Sequence, residues 1–212
     1  MKRTTARPTL LLTGFDPFDG ATSNPSWDAA SALDGHVVGG HRIVARQLPT
    51  EFDASLRALR AAIRETGPSL VVCTGLAGGR KELSLERVAI NVDDARIPDN
   101  TGAQPVDARI IARGPAAYFS TLPVKAMLAA LQSRGIPAQV SQTAGTFVCN
   151  HVFYGLMHAL RRQPGVRGGF IHVPPAGRSG MPRDAIIEGL RIALRVAAMT
   201  RTDARIAAGA ED

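Results

Sequence analysis

Two cysteines in 212 residues, Cys73 and Cys149, are too few for a disulfide framework. His-Glu-x-x-His runs and clustered Cys/His spacings are absent, so neither a metal nor any other cofactor is expected. No apolar stretch is long enough to span a bilayer. Lys2 and Arg3 precede an apolar run, but Thr9–Leu12 is too short for a signal-peptide core and no small-residue cleavage site follows; a cytoplasmic location, away from membranes, is the expectation. Lysine is scarce. Of 25 basic residues only Lys2, Lys81 and Lys125 are lysines, and against 18 acidic residues the formal net charge is +7. Such a surplus would suit nucleic acid, but the arginines are scattered rather than striped beside aromatics, so no nucleic-acid partner is expected.

What is present suits one buried core. Residues are 45% hydrophobic, no Ser- or Pro-rich linker divides the chain, and no internal repeat is found. A single domain over 1–212 is expected, with about 1–7 and 202–212 as flexible tails. Strand-like runs at 9–14, 41–48, 69–74, 136–142 and 168–173 alternate with helical patterns at 25–33, 51–65, 123–134, 148–162 and 183–199. That alternation predicts an α/β/α sandwich around a largely parallel twisted sheet. Asn24 before Pro25 marks one helix start, and Thr50 followed by Glu51 and Asp53 marks another. The segment from Asp94 to Ala116, with Pro98, Gly102, Pro105 and Gly114, is too long for a plain connector and is expected to form an arm at the site rim or a subunit contact.

Cys149 stands where the strand run at 136–142 gives way, through the small residues Thr143–Thr146, to a helix carrying Val152, Leu156, Ala159 and Leu160 at helical spacing. Unpartnered first-turn N–H groups and the macrodipole favour an anion at such a place, which makes Cys149 a candidate thiolate. A lone cysteine is also an ordinary small hydrophobe, so its partner decides. His151 and His158, two and nine positions on, are turned about half a turn from the thiol at 100° per residue. His36 and His41 flank Gly39-Gly40 in a hairpin or strand entry. His172 ends the apolar run Gly168–Val173 before Pro174-Pro175, at a strand's carboxyl end, where ligands of open α/β sheets sit. The same edge would thus hold Cys149 and a base. Glu86, in a segment alternating with Val88 and Ile90, could orient the imidazole, or it could be a surface partner of Arg87. Gly75–Arg80 lacks the Gly-Lys-Ser/Thr ending of a phosphate loop. Phe15 and Phe18, on a turn that Pro17 keeps from continuing its strand, either staple the turn to the core or wall an apolar cleft.

At TGFDPFDGATSNPSW (13–27), GLAGGRKELSLERVAINVDDARIPDNTG (75–102), SQTAGTFVCNHVFYGLMH (141–158) and GGFIHVP (168–174) the chain resembles the pyroglutamyl-peptidase I family of cysteine exopeptidases. The resemblance implies a fold of the phosphorylase/hydrolase kind and removal of N-terminal pyroglutamyl residues from peptides through a thioester. It also implies Cys149 as nucleophile, His172 as general base and Glu86 as the acid that holds it. Phe15, Phe18 and Phe147 match the aromatic pocket lining, Arg96 an arginine beside the active site, and Asn24 is placed with the substrate-binding residues. Homo-oligomers, often tetramers, are implied as well. The chain departs from the family pattern at Asp16, where Glu is common, at Asp19, where a second Gly often precedes Gly20, and over Pro175–Gly180. Two alternatives stay open: a phosphorolytic nucleoside-type transferase on a related fold, which would need phosphate and not Cys149, and a non-catalytic binder of blocked peptide ends.

Overall fold

A computed structural model describes residues 7–209. The described chain runs β1 (Thr9–Phe15), α1 (Pro25–Ala32), β2 (Val37–Val38), β3 (His41–Leu48), α2 (Ala54–Thr66), β4 (Leu70–Leu76), β5 (Leu83–Glu86), β6 (Val88–Ile90), β7 (Ala117–Phe119), α3 (Val124–Gln132), β8 (Ala138–Ser141), α4 (Val148–Leu160), β9 (Arg167–Val173) and α5 (Arg183–Met199). One sheet has the order β2-β3-β1-β4-β9-β5-β8, and β6 and β7 pair as a separate hairpin. The sheet's interior strands are apolar without a break because both faces are covered. Leu10, Leu12, Leu70 and Val72 pack with residues of α1, α3 and α5, such as Ala29, Leu128 and Leu190. The alternate residues Leu11, Val71 and Cys73 pack with Leu56 and Leu59 of α2 and Val152 and Leu156 of α4. The expected α/β/α sandwich is what the chain forms.

Its sheet is mostly parallel, as expected. β3, β1, β4 and β9 run parallel, whereas β5 is antiparallel to β9 and parallel to β8. The strand before Cys149 therefore points the opposite way from the one that ends in His172. Residues 142–147 reverse the chain and return it to the edge where β4 and β9 end, and there α4 begins.

The expected helix start at Thr50 is displaced to Ala54. Thr50 is held instead by the first turn: its N–H donates to Asp16 Oδ1 at 2.6 Å and its hydroxyl to the Asp16 carbonyl at 3.1 Å. Asp53 precedes the helix with a positive φ (55°) and no side-chain cap bond. The arm after Asp94 reaches the same turn, as Asn100 donates to the Pro17 carbonyl at 2.9 Å and the Asp99 carboxylate accepts from Phe52 N–H at 2.8 Å.

The tail expected from 202 onward is described as far as Gly209, and over that stretch it is docked rather than free. The Asp203 carboxylate accepts from the N–H groups of Lys125 (3.2 Å) and Ala126 (2.9 Å), capping α3 from 77 residues away because Pro123 offers no side-chain acceptor. Lys125 Nζ donates to the Ile206 carbonyl at 2.6 Å. Losing such a cap costs about 1 kcal/mol. Asp203→Ala should lower unfolding free energy by about that amount in urea titration, with Cys149 alkylation unchanged.

Candidate active site

Gly75 in β4 is the floor of the site. It is in register with His172 on β9, and a Cβ built on it would lie 2.6 Å from Cys149 Sγ and 2.9 Å from Phe170 Cζ. The sulfur thus rests on a backbone position that carries no side chain, beside the strand residue that carries the imidazole. β5 supplies the third group. Leu83 and Leu85 point into the core under α3 and α5, so Ser84 and Glu86 point to the other face, opposite His172 and Phe170 respectively. From there Glu86 Oε1 lies 2.7 Å from His172 Nδ1, both residues buried. A carboxylate can only accept, so Nδ1 carries the proton and Nε2 is left free to take one. The sequence argument for a shared sheet edge assumed a parallel strand before Cys149. The residues do meet at that edge, but through the reversing loop.

Arg80 was not foreseen. Its guanidinium donates to the same Glu86 Oε1 at 2.6 Å and to the Thr143 carbonyl at 2.8 Å, so it joins the loop after β4 to the loop before α4. Glu86 Oε2 is buried without a hydrogen-bond partner among the described residues. The signal in the sequence was an arginine closing a glycine-rich loop six residues before a glutamate, which alone says nothing about pairing.

Phe15, Phe18, Asn24, Thr50, Leu76, Phe147, Val148 and Cys149 line a small apolar cavity. Phe147 lies 6.2 Å from Phe18 and meets the edge of Phe52 at 5.5 Å between ring centroids. The Phe15–Phe18 turn is therefore a cleft wall, although Phe15 itself is almost wholly buried. Asn24 lines the cavity and also caps α1, accepting from Ser26 N–H at 3.0 Å and donating to the Asp16 carbonyl at 2.9 Å. Arg96 is exposed and is not part of this wall. Asp19 and Gly20 both adopt positive φ (53° and 72°), a conformation that glycine takes most readily. The 175–182 stretch folds on itself, with Gly177 N–H donating to the Met181 carbonyl at 2.8 Å and Met181 N–H to the Pro175 carbonyl at 3.0 Å. The wider cleft lined by Arg87, Lys125, Arg201 and Asp203 contains neither cysteine nor histidine.

The helix start does not make Cys149 a resting thiolate. Burial pushes the thiol up to about 12, the Glu86 carboxylate adding to the effect and Arg80 opposing it. Desolvation outweighs the dipole because the sulfur is packed between Gly75 and α4. Cys149 is nevertheless part-exposed, while Cys73 is fully buried and also pushed up to about 12, chiefly by burial. Cys73 thus binds its proton more tightly folded than unfolded, where about 9 is the ordinary value. Its contribution to stability is complete below pH 9 and is lost as pH rises toward 12, at about 1.4 kcal/mol per unit. Between pH 8 and pH 10.5 the stability difference between wild type and Cys73→Ala should shrink by about 2 kcal/mol in urea titrations; a constant difference would refute it.

α4 places its other polar residues away from the thiol, as its period requires. His151 Nδ1 lies 2.7 Å from Asp93 Oδ2, and its Nε2 accepts from Asp53 N–H at 3.2 Å. His158 Nδ1 lies 2.9 Å from the Tyr118 hydroxyl. Asn150 is buried and clamps the hairpin, accepting from Ile90 N–H at 3.0 Å and donating to the carbonyls of Ile90 and Val92. No side chain caps α4, so its first-turn N–H groups remain free at the cavity. Among the described residues no group of three or more His, Cys, Asp or Glu could hold a metal, and no helix is long and apolar enough to cross a membrane.

Comparison with known proteins identifies the family. The pyroglutamyl peptidase family profile matches residues 8–200. A pyrrolidone-carboxylate peptidase of Klebsiella pneumoniae is 56% identical over 209 residues, covering 95% of this chain and 98% of that one. One of Cupriavidus taiwanensis is 56% identical over 208 residues, covering 93% and 96%. The crystal structure of pyroglutamyl peptidase I from Bacillus amyloliquefaciens superposes with a TM-score of 0.92 at 48% identity, covering 95% of this chain and all of that one. Pyrrolidone carboxyl peptidase from Thermococcus litoralis gives 0.87 at 34% identity, covering 90% and 93%. With the profile spanning nearly the whole described chain and relatives above half identity over their full length, the chain belongs to the pyroglutamyl peptidase family.

Proposed function

We propose that this protein is a cysteine exopeptidase that removes N-terminal L-pyroglutamyl residues from peptides. The observation that carries this reading is the buried Glu86–His172 pair, at 2.7 Å, beside a sulfur that rests on Gly75 and opens into a phenylalanine-walled cavity. The lactam ring is neutral and flat, and suits apolar walls where an ordinary N-terminal ammonium would be left without a counter-charge. His172 Nε2 takes the Cys149 proton as sulfur bonds to the pyroglutamyl carbonyl carbon, and the free N–H groups opening α4 receive the oxyanion. The tetrahedral adduct collapses with cleavage of the C–N bond, and His172 returns the proton to the departing amine. Water, deprotonated by His172, then attacks the thioester, releasing pyroglutamate and restoring the thiol. Because the thiol is protonated at rest, proton transfer accompanies attack. A cytoplasmic site of action, which keeps the thiol reduced, and assembly into homo-oligomers belong to the same reading. Release of a reporter amine from an L-pyroglutamyl amide, abolished by prior alkylation, tests it; phosphate-dependent turnover that survives alkylation would favour the transferase instead.

A further inference from the structure

We propose that Arg80 is a positioning residue that offsets the charge of Glu86, so that the buried carboxylate can orient His172 without suppressing ionisation of Cys149. The geometry is specific. Glu86 is fully buried, and both its contacts fall on a single oxygen, Oε1, which Arg80 and His172 share at 2.6 and 2.7 Å. Glu86 therefore keeps one buried oxygen without a hydrogen-bond partner among the described residues, and its carboxylate acts on the Cys149 thiol. That carboxylate orients the His172 ring but opposes thiolate on Cys149, which proton transfer to His172 must form. Arg80 makes the Arg80–Glu86 unit neutral overall. Its second contact, to the Thr143 carbonyl, fixes the guanidinium from the loop that leads into α4. The opposing influences of Glu86 and Arg80 on the Cys149 thiol agree with this balance.

The other ionisable groups around the thiol do not substitute for Arg80. Cys73 on β4 is buried and itself held neutral by burial, His172 on β9 is the proton acceptor, and His151 on α4 is engaged with Asp93. On the Arg80 side, Lys81 and Glu82 follow it in the loop, Lys81 exposed and Glu82 half-buried. Asp94, on the arm that packs against the start of α4, is exposed, and its backbone rather than its carboxylate meets Thr146.

The proposal rests on Cys149 being the nucleophile of the hydrolysis above, but its test needs no substrate. The pH dependence of Cys149 alkylation by iodoacetamide, read by peptide mass spectrometry, is compared in wild type, R80K, R80Q and R80Q/E86Q. R80Q should slow alkylation about tenfold at pH 8 and move its rise to higher pH, because a nearby charge shifts a pKa by about one unit or more. R80K, which keeps the charge and loses the fork, should stay within about threefold of wild type. R80Q/E86Q, neutral again, should recover most of the lost rate while hydrolysis stays low, since His172 has lost its orienting partner. R80K as slow as R80Q, or a double variant no faster than R80Q, would show that Arg80 only braces the loops and overturn the proposal. Should R80Q not accumulate folded, R80K decides: a tenfold loss there has the same meaning. Absence of pyroglutamyl hydrolysis in wild type with this alkylation pattern intact would instead count against the substrate reading alone.

Discussion

Cys149→Ser should lower kcat/KM for an L-pyroglutamyl amide by about 10⁴-fold or more, and His172→Ala by a similar factor, because groups that act as one nucleophilic unit lose nearly the whole effect singly. A serine hydroxyl has no comparable acidity to recover when His172 is its only base. Glu86→Gln should leave KM largely unchanged and reduce kcat, since an amide can still touch Nδ1 but no longer selects the tautomer with Nε2 free. Both proton transfers fail in His172→Ala, so its loss should exceed that of Glu86→Gln. Limited iodoacetamide should label Cys149 before Cys73. The two thiols are held protonated to a similar degree, so access decides: one reaches the cavity and the other is sealed under α2 and α4. Wild-type turnover in Cys149→Ser, or earlier labelling of Cys73, would end the nucleophile assignment.

Substrate discrimination should be the second large effect. A prolyl analogue would carry a charged amine into the space walled by Phe15, Phe18, Phe147 and Leu76, and would lack the ring carbonyl whose hydrogen-bond donor would be left bare. Burying an unpaired charge is strongly unfavourable, and a site built around a hydrogen bond rejects an analogue lacking it by about 10⁴-fold. Uncyclised glutaminyl substrates bring the same ammonium. kcat/KM should therefore favour pyroglutamyl over prolyl and glutaminyl amides by about 10⁴-fold; values within tenfold across the three would show that this cavity is not a lactam pocket.

The interior strands were legible because burial on both faces leaves an unbroken apolar signature, as in Leu10–Leu12 and Leu70–Cys73. β5 was not recognised as a strand of the sheet. It has only four residues, and Ser84 and Glu86 turn polar side chains into a buried layer, a break in local pattern that belongs to a functional position. Strand direction left no mark either: the residues of β8 would read the same parallel or antiparallel, and only the six-residue return decides it. Cys149 and His172 lay at a helix start and a strand end that sequence marks well, whereas Glu86 was found without its strand. What sequence could not supply was their balance of charge. Arg80 pairs through space, and the thiol's protonation depends on how deeply the sulfur is packed, so a rule based on helix position alone gave the wrong direction.

The uncapped start of α4 carries a consequence for stabilising this enzyme by design. Phe147 stands where Ser, Thr or Asp would ordinarily add about 1 kcal/mol by closing on the first-turn N–H groups. A consensus-minded redesign would choose that substitution first, and it would engage with a side-chain oxygen the N–H donors proposed to receive the oxyanion, while removing an aromatic wall. Thermal tolerance here is better sought elsewhere in the chain, because at position 147 folding stability and turnover draw on the same three or four hydrogens.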